Sequence, residues 1–146
     1  PSDTGGARAF AYRDPVATFD ALTDGIFGPL SLPYPMASET LLLLDSSEGH
    51  VSLENNIEGY RAILEWDATA LPSLMLWISN KGRQASPWNG KHLALGIEPV
   101  CAPFDLGEAI TGSTSPLAKA GVRTAVSIQP DRPWRTSYAI GLEAND

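Results

Sequence analysis

Short apolar runs that end at Gly, Pro, Asp or Ser restrict this chain to short extended elements. Residues 41–44 form one continuous apolar run, and residues 60–66 alternate apolar and polar side chains. Runs of this length and period are typical of β-strands. Residues 74–79 carry apolar side chains on both alternating sets, which indicates a strand covered on both faces by packed layers. The sequence therefore predicts an all-β fold, a β-sandwich.

The other apolar runs extend this prediction over most of the chain. Further strands are predicted at 7–12, 51–54, 121–129 and 134–143. A turn at 131–133 is expected to join the last two as a near-hairpin. A helical turn is expected at 103–110, followed by a Ser/Thr/Gly linker at 111–116. The sequence shows no internal repeat and no confident helix.

The strand predicted at 92–97 has one apolar face and one shallow face. Leu93, Leu95 and Ile97 point one way and are expected to be buried, because successive side chains alternate across a sheet. Small residues occupy the other face, which ends in Glu98. Pro99 is expected to stop the ladder, so Glu98 is predicted to stand at the end of its strand, either in a site or simply in solvent.

Three segments around this strand resemble a known family. Residues 77–80 read Trp-Ile-Ser-Asn, residues 87–90 read Pro-Trp-Asn-Gly, and residues 95–99 read Leu-Gly-Ile-Glu-Pro. In this order they resemble the C-terminal half of the aldose 1-epimerases, which are galactose mutarotase-like β-sandwich proteins. A weaker resemblance extends over 23–142. It implies that residues 1–146 are one domain, the C-terminal portion of a larger mutarotase-like supersandwich.

The resemblance implies a role for Glu98 as the general base that takes the proton from the anomeric hydroxyl of a sugar. It also places Asp24 near the sugar, although an Asp before Gly is equally what a tight turn prefers. Ring opening further needs an acid, which in the family is a histidine from the N-terminal part. No histidine precedes residue 39 here. His50 is expected at a surface hairpin, and His92 lies about 20 Å from Glu98 along an extended strand, too far for one sugar ring.

Three further residues are candidates for substrate binding. Trp77 lies on the strand before the polar loop 80–91, and Trp88 lies inside that loop. Trp88 either plugs the end of the sandwich or offers a flat face to a pyranose. Asn89 is either a ligand contact or the first residue of an Asn-Gly turn.

Two functions of different classes follow from these residues. The first is an aldose 1-epimerase-like isomerase that interconverts the α and β anomers of a sugar, provided that another part supplies the histidine. The second is a non-catalytic carbohydrate-binding β-sandwich. In both the ligand is a monosaccharide or a sugar derivative. Because the chain resembles only part of the family domain, a second chain or self-association is expected to complete the sandwich.

Composition excludes several other classes. The formal net charge is -7 and there is no basic run, so no nucleic-acid partner is expected. Cys101 is the single cysteine, and no metal-ligand spacing or cofactor motif occurs, so neither a metal nor a cofactor is expected. No apolar run approaches the roughly 20 residues of a membrane span. A cytoplasmic location is expected.

Overall fold

A computed structural model describes residues 8–11, 32–45, 48–103 and 116–144 of the chain. Nearly all regular elements in these residues are strands, as the apolar runs predict. In chain order the elements are β1 (Arg8–Ala11), β2 (Ser38–Asp45), β3 (His50–Asn55), β4 (Tyr60–Trp66), β5 (Ser73–Asn80), β6 (Leu93–Val100), α1 (Pro116–Lys119) and β7 (Tyr138–Ala144).

The strands form two antiparallel sheets. One sheet has four strands in the order β1-β2-β5-β6, and the other has three in the order β3-β4-β7. The two sheets face each other across an apolar layer. The predicted all-β, sandwich-like fold is therefore confirmed.

The core between the sheets consists of one alternating set of side chains from each strand. Leu42, Leu76 and Ile78 of the four-stranded sheet are buried against Trp66 of β4, whose indole Nε1 also donates to the carbonyl of Leu71 at 2.9 Å. Burial of large apolar side chains of this kind stabilises a fold by roughly 1.5–3 kcal/mol each. This layer fixes which face of β5 points inward, and hence which face points out.

The outer face of the four-stranded sheet is covered in part by α1. Leu43 is buried there against Leu117 of the helix and the nearby Val122, with Met75 packed beside them. Strand β5 is thus apolar on both faces for two different reasons. A second sheet covers one face, and a short helical segment covers part of the other.

Asn80, the last residue of β5, anchors the segment that precedes β2. Its side chain is buried and donates to the carbonyls of Tyr34 and Met36 at 3.1 and 2.7 Å, while Oδ1 accepts from the backbone N–H of Tyr34 at 3.2 Å. The buried amide of Asn80 therefore uses both its oxygen and its nitrogen to hold one chain segment in place.

The predicted end of β6 is wrong. The strand does not stop before Pro99 but continues to Val100, with Pro99 paired opposite Leu74. Strand β6 lies at the edge of its sheet, where a proline is tolerated because its missing N–H can face away from the neighbouring strand. Glu98 therefore lies within the strand, opposite Met75.

The predicted burial of the apolar face of β6 holds for only part of the strand. Leu95 and Ile97 pack against the central apolar layer, whereas Leu93 is 47% exposed. Leu93 is the first residue of β6 and lies beyond that layer. Cys101 is half-buried just after the strand, with its thiol 3.6 Å from the carbonyl of Arg123.

The prediction that strands at 121–129 and 134–143 form a near-hairpin is wrong. Residues 121–129 form no strand; Val122 instead packs beside α1, and the Arg123 guanidinium donates to the carbonyls of Thr69 and Ala70. The last strand is shorter than predicted and pairs with β4, not with a preceding hairpin partner. Helix α1 begins at Pro116, the last residue of the expected linker, and the helical turn expected at 103–110 falls largely outside the described residues.

Strand β7 leaves an apolar surface uncovered. Tyr138, Ile140 and Leu142 stand opposite Trp66, Leu64 and Ala62 of β4 and so extend the inner face of the three-stranded sheet. They are nevertheless 72%, 71% and 73% exposed. Among the described residues, no strand pairs with the other edge of β7.

Candidate functional site

An open groove of about 390 Å³ lies on the outer face of the four-stranded sheet. Its lining combines carboxylates, a guanidinium, an indole and aliphatic side chains. The lining residues are Glu39, Thr40, Leu41, Met75, Trp77, Arg83 and Glu98. Three strands and the loop after β5 contribute to it, so the groove depends on tertiary pairing.

Strand register explains why these side chains meet. Leu41 stands opposite Trp77, Trp77 stands opposite Gly96, and Met75 stands opposite Glu98. Directly opposed residues of antiparallel strands point to the same face. Since Gly96 has no side chain, the Trp77 indole and the Glu98 carboxylate share the space above it.

Glu39 is the most heavily hydrogen-bonded side chain of the site. Its Oε1 accepts from Trp77 Nε1 at 2.6 Å and from Arg83 Nε at 3.0 Å, and its Oε2 accepts from Ser79 Oγ at 3.0 Å. Burial alone would raise the pKa of Glu39, but these hydrogen bonds and the positive charge of Arg83 together hold it below the usual value of 4.5. Glu39 is therefore an ionised acceptor that fixes Trp77 and Arg83, and it is unsuited to act as a general acid.

The loop between β5 and β6 is closed by its own hydrogen bonds. The backbone N–H of Lys81 donates to the carbonyl of His92 at 2.8 Å, and that of Gly90 donates to the carbonyl of Arg83 at 2.8 Å. Asn89 has a φ of 48° and its amide donates to the carbonyl of Pro87, so its contacts are those of a turn residue. The loop thereby presents Trp88 and Arg83 to the sheet in a fixed arrangement.

Two tryptophans and a histidine form an aromatic cluster at one end of the groove. The His92 ring stacks on Trp77 with ring centroids 5.5 Å apart and contacts Trp88 at 4.3 Å. The Arg83 guanidinium carbon lies 4.6 Å from the centroid of Trp77 and 5.5 Å from that of Trp88, within range of cation–π attraction. The His92 Nδ1 atom is 2.8 Å from Ser79 Oγ, which connects the cluster to Glu39.

Glu98 differs from Glu39 because none of the described residues bonds to its carboxylate. It forms no ion pair and accepts no hydrogen bond from them, and it lines the groove half-buried. A carboxylate in this setting can accept a hydrogen bond or a proton from a ligand hydroxyl.

The structure brings together two of the predicted site residues, Trp77 and Glu98. Trp88 is 38% exposed and joins the aromatic cluster without lining the groove, and Asn89 lies within the loop turn. Asp24 falls outside the described residues.

Sequence reasoning did not identify Glu39 and Arg83. Glu39 lies next to the apolar run that forms β2, and nothing local indicates that this strand pairs with β5. Arg83 appears in the sequence only as a polar loop residue. Only the pairing of β2 with β5 reveals Glu39 as a site residue. Glu39 stands opposite Ser79 and lies two residues from Leu41, which stands opposite Trp77.

Comparison of the chain with protein-family models, with curated proteins and with solved structures finds no match. Within the described residues, no three His, Cys, Asp or Glu side chains are grouped so that they could hold a metal ion. No helix in this part of the chain has the length and apolar character needed to cross a membrane.

Proposed function

We propose that the groove binds a carbohydrate. The observation that carries this proposal is the Trp77 indole, which is held by Glu39 and flanked by Arg83 and by Glu98, whose carboxylate bonds to none of the described residues. A flat apolar face can pack against the C–H groups of a pyranose, while fixed charged groups beside it exchange hydrogen bonds with its hydroxyls. The resemblance of 77–80 and 95–99 to mutarotase-like proteins supports the same ligand class.

An aldose 1-epimerase-like activity is the second candidate, and Glu98 is the observation that favours it. Its carboxylate is free to take a proton from an anomeric hydroxyl lying above Gly96. The groove itself offers no acid for the ring oxygen among the described residues, because Glu39 is ionised and fully engaged. The acid would have to come from another part of the protein or from a partner.

The binding proposal is tested by titrating the chain with D-glucose and D-galactose and following tryptophan fluorescence. Trp77→Ala is expected to weaken binding about fivefold, since an aromatic packing contact contributes on the order of 1 kcal/mol. Trp134→Ala is the matched control, because Trp134 is also partly exposed but does not line the groove. Equal losses in both variants, or no response to either sugar, would contradict the proposal.

Polarimetry of a fresh α-aldose separates the two candidates. An epimerase accelerates mutarotation in proportion to the concentration of the chain. A chain that binds the sugar and leaves the mutarotation rate unchanged is a binding module.

Gly96→Ala is predicted to impair ligand binding without unfolding the protein. A Cβ at this position would lie 2.8 Å from Glu98 Oε1 and 3.3 Å from the Cβ of Trp77. The carboxylate is the flexible end of a side chain, so it can move aside, and the space over Trp77 shrinks. We expect affinity for the sugar to fall about tenfold, an effect of roughly 1.4 kcal/mol, with a nearly unchanged melting temperature.

Gly141→Ala provides the control for that substitution. Gly141 also lies in a strand, and an added Cβ there would meet nothing within 4 Å. Its sugar affinity is expected to match the wild type. A Gly96→Ala variant with wild-type affinity would show that the ligand does not occupy this part of the groove.

We also propose that a second copy of the chain covers β7. In an antiparallel pairing of two β7 strands centred on Gly141, Ile140 faces Leu142 of the other copy and Glu143 faces Ala139, so no like charges oppose each other. Exposed apolar strand edges of this kind favour strand addition.

Light scattering across a concentration series tests this association. The wild-type chain is expected to approach twice its 15.6 kDa mass, and Leu142→Lys is expected to remain at one chain mass. Ile57→Lys is the control, because Ile57 is exposed in the turn between β3 and β4 and is not part of β7. A wild-type mass of one chain at all concentrations would overturn the proposed pairing.

A further inference from the structure

The groove keeps one negative charge that none of the described residues compensates. Its charged lining residues are Glu39, Arg83 and Glu98. Arg83 Nε lies 3.0 Å from Glu39 Oε1, so these two side chains form an ion pair and offset each other. The Glu98 carboxylate forms no ion pair and accepts no hydrogen bond from the part of the chain that the structure describes. The net charge that a ligand meets in the groove is therefore negative.

The Glu98 carboxylate borders apolar groups. A Cβ placed at Gly96 would lie 2.8 Å from Glu98 Oε1 and 3.4 Å from Trp77 Cε3, so the carboxylate oxygen and the indole border one small space. Met75, directly opposite Glu98 on β5, also lines the groove. Charges interact more strongly beside apolar groups than in bulk water, because the local dielectric constant is lower. This position therefore favours a ligand group of opposite charge.

A bound ligand takes the half-buried Glu98 carboxylate further out of water. Removing a charge from water is costly unless the ligand supplies hydrogen bonds and an opposite charge. A sugar hydroxyl supplies one neutral donor, whereas an ammonium group supplies three donors and a full positive charge. An ammonium group therefore compensates the cost at Glu98 better than a hydroxyl does.

We propose that the carbohydrate of this groove is an amino sugar, whose ammonium group pairs with Glu98 beside Trp77. This inference rests on the proposed carbohydrate binding and names the class of sugar. Glu98 determines specificity in this arrangement, because its carboxylate distinguishes an ammonium group from a hydroxyl at the same position of the ring.

The affinities of the wild-type chain for D-glucosamine and D-glucose test the inference, because the two sugars differ in one ring substituent. The amino group of D-glucosamine is protonated at about pH 6. Under that condition D-glucosamine is expected to bind about tenfold more tightly than D-glucose, since its added charge pairs with a half-buried carboxylate. Tryptophan fluorescence follows both titrations.

Two variants that remove the same charge locate the preference. Glu98→Gln is expected to bring the two affinities to within about twofold of each other, since glutamine cannot compensate the ammonium charge. Glu54→Gln is the matched control, because Glu54 is exposed on β3, in the other sheet. It is expected to keep the wild-type preference, although it reduces the general attraction of a cation to a chain of net charge -7 by the same amount.

Binding of D-glucose with no gain for D-glucosamine would overturn the inference and leave carbohydrate binding intact. A preference that persists in Glu98→Gln, or that falls equally in Glu54→Gln, would overturn it as well, because the charge recognised would not be that of Glu98. The wild-type comparison alone can overturn the inference, whether or not the variants fold. Absence of binding by D-glucosamine, D-glucose and D-galactose would overturn the proposed function and this inference together.

Discussion

Under the epimerase proposal, replacing Glu98 with glutamine is expected to abolish mutarotation while the fold remains intact. Glutamine has nearly the same shape as glutamate but cannot take a proton from the anomeric hydroxyl. Loss of a general base typically lowers a rate by about 10²- to 10⁴-fold. Because the Glu98 carboxylate bonds to none of the described residues, its replacement leaves no buried partner unsatisfied. The measurement is the polarimetric rate with a fresh α-aldose.

The control for this substitution is Glu54→Gln. Glu54 is exposed on β3, in the other sheet, and its replacement by glutamine removes the same charge from the protein. It is expected to leave the rate unchanged. Equal rates for the wild type and Glu98→Gln would remove Glu98 from the mechanism, whereas loss of sugar binding in Glu98→Gln would assign it to ligand binding.

The largest expected loss of stability is that of Asn80→Ala. The substitution removes three hydrogen bonds to the backbone of Tyr34 and Met36 and leaves their polar groups without a partner in a part-buried region. At about 1 kcal/mol for each bond, the free energy of unfolding is expected to fall by about 3 kcal/mol. Urea denaturation followed by fluorescence measures this loss.

Asn55→Ala is a matched comparison, because Asn55 also makes three hydrogen bonds. Its Oδ1 accepts from the backbone N–H groups of Ile57 and Glu58, and its Nδ2 donates to the Glu58 carboxylate. These bonds are exposed, so water replaces them, and a loss near 1 kcal/mol is expected. Equal losses in the two variants would show that the buried setting of Asn80 contributes nothing.

The strands that the sequence predicts well are those whose pattern is local. Tyr60–Trp66 has the predicted bounds, and the apolar run at 41–44 lies within β2. The errors occur where the outcome depends on a neighbouring strand. Pro99 could not be placed inside β6 without knowing that β6 is an edge. The alternating residues 121–129 form no strand and pair with no strand among the described residues.

The candidate site was likewise predictable only where it depends on the pattern along a single strand. Alternation along β6 placed Glu98 on the face opposite Leu95 and Ile97, whereas both faces of β5 were expected to be covered, so the outward position of Trp77 was not predicted. Strand pairing brings Glu98 and Trp77 into one groove. Glu39, Ser79 and Arg83 became visible only with the pairing of β2 and β5, which joins residues about 40 positions apart in sequence. A pattern read along one strand contains no information about which strand will lie beside it.

The position of Pro99 also limits how copies of this protein can polymerise. A proline in an edge strand leaves the outer side of β6 without one of the N–H donors that an incoming strand would need. Filament growth through sheets requires two open edges on each molecule, one to add to and one to be added to. Of the four sheet edges among the described residues, β6 is therefore the least suited to adding a strand, and growth of the sheets by strand addition would have to use β1, β3 or β7.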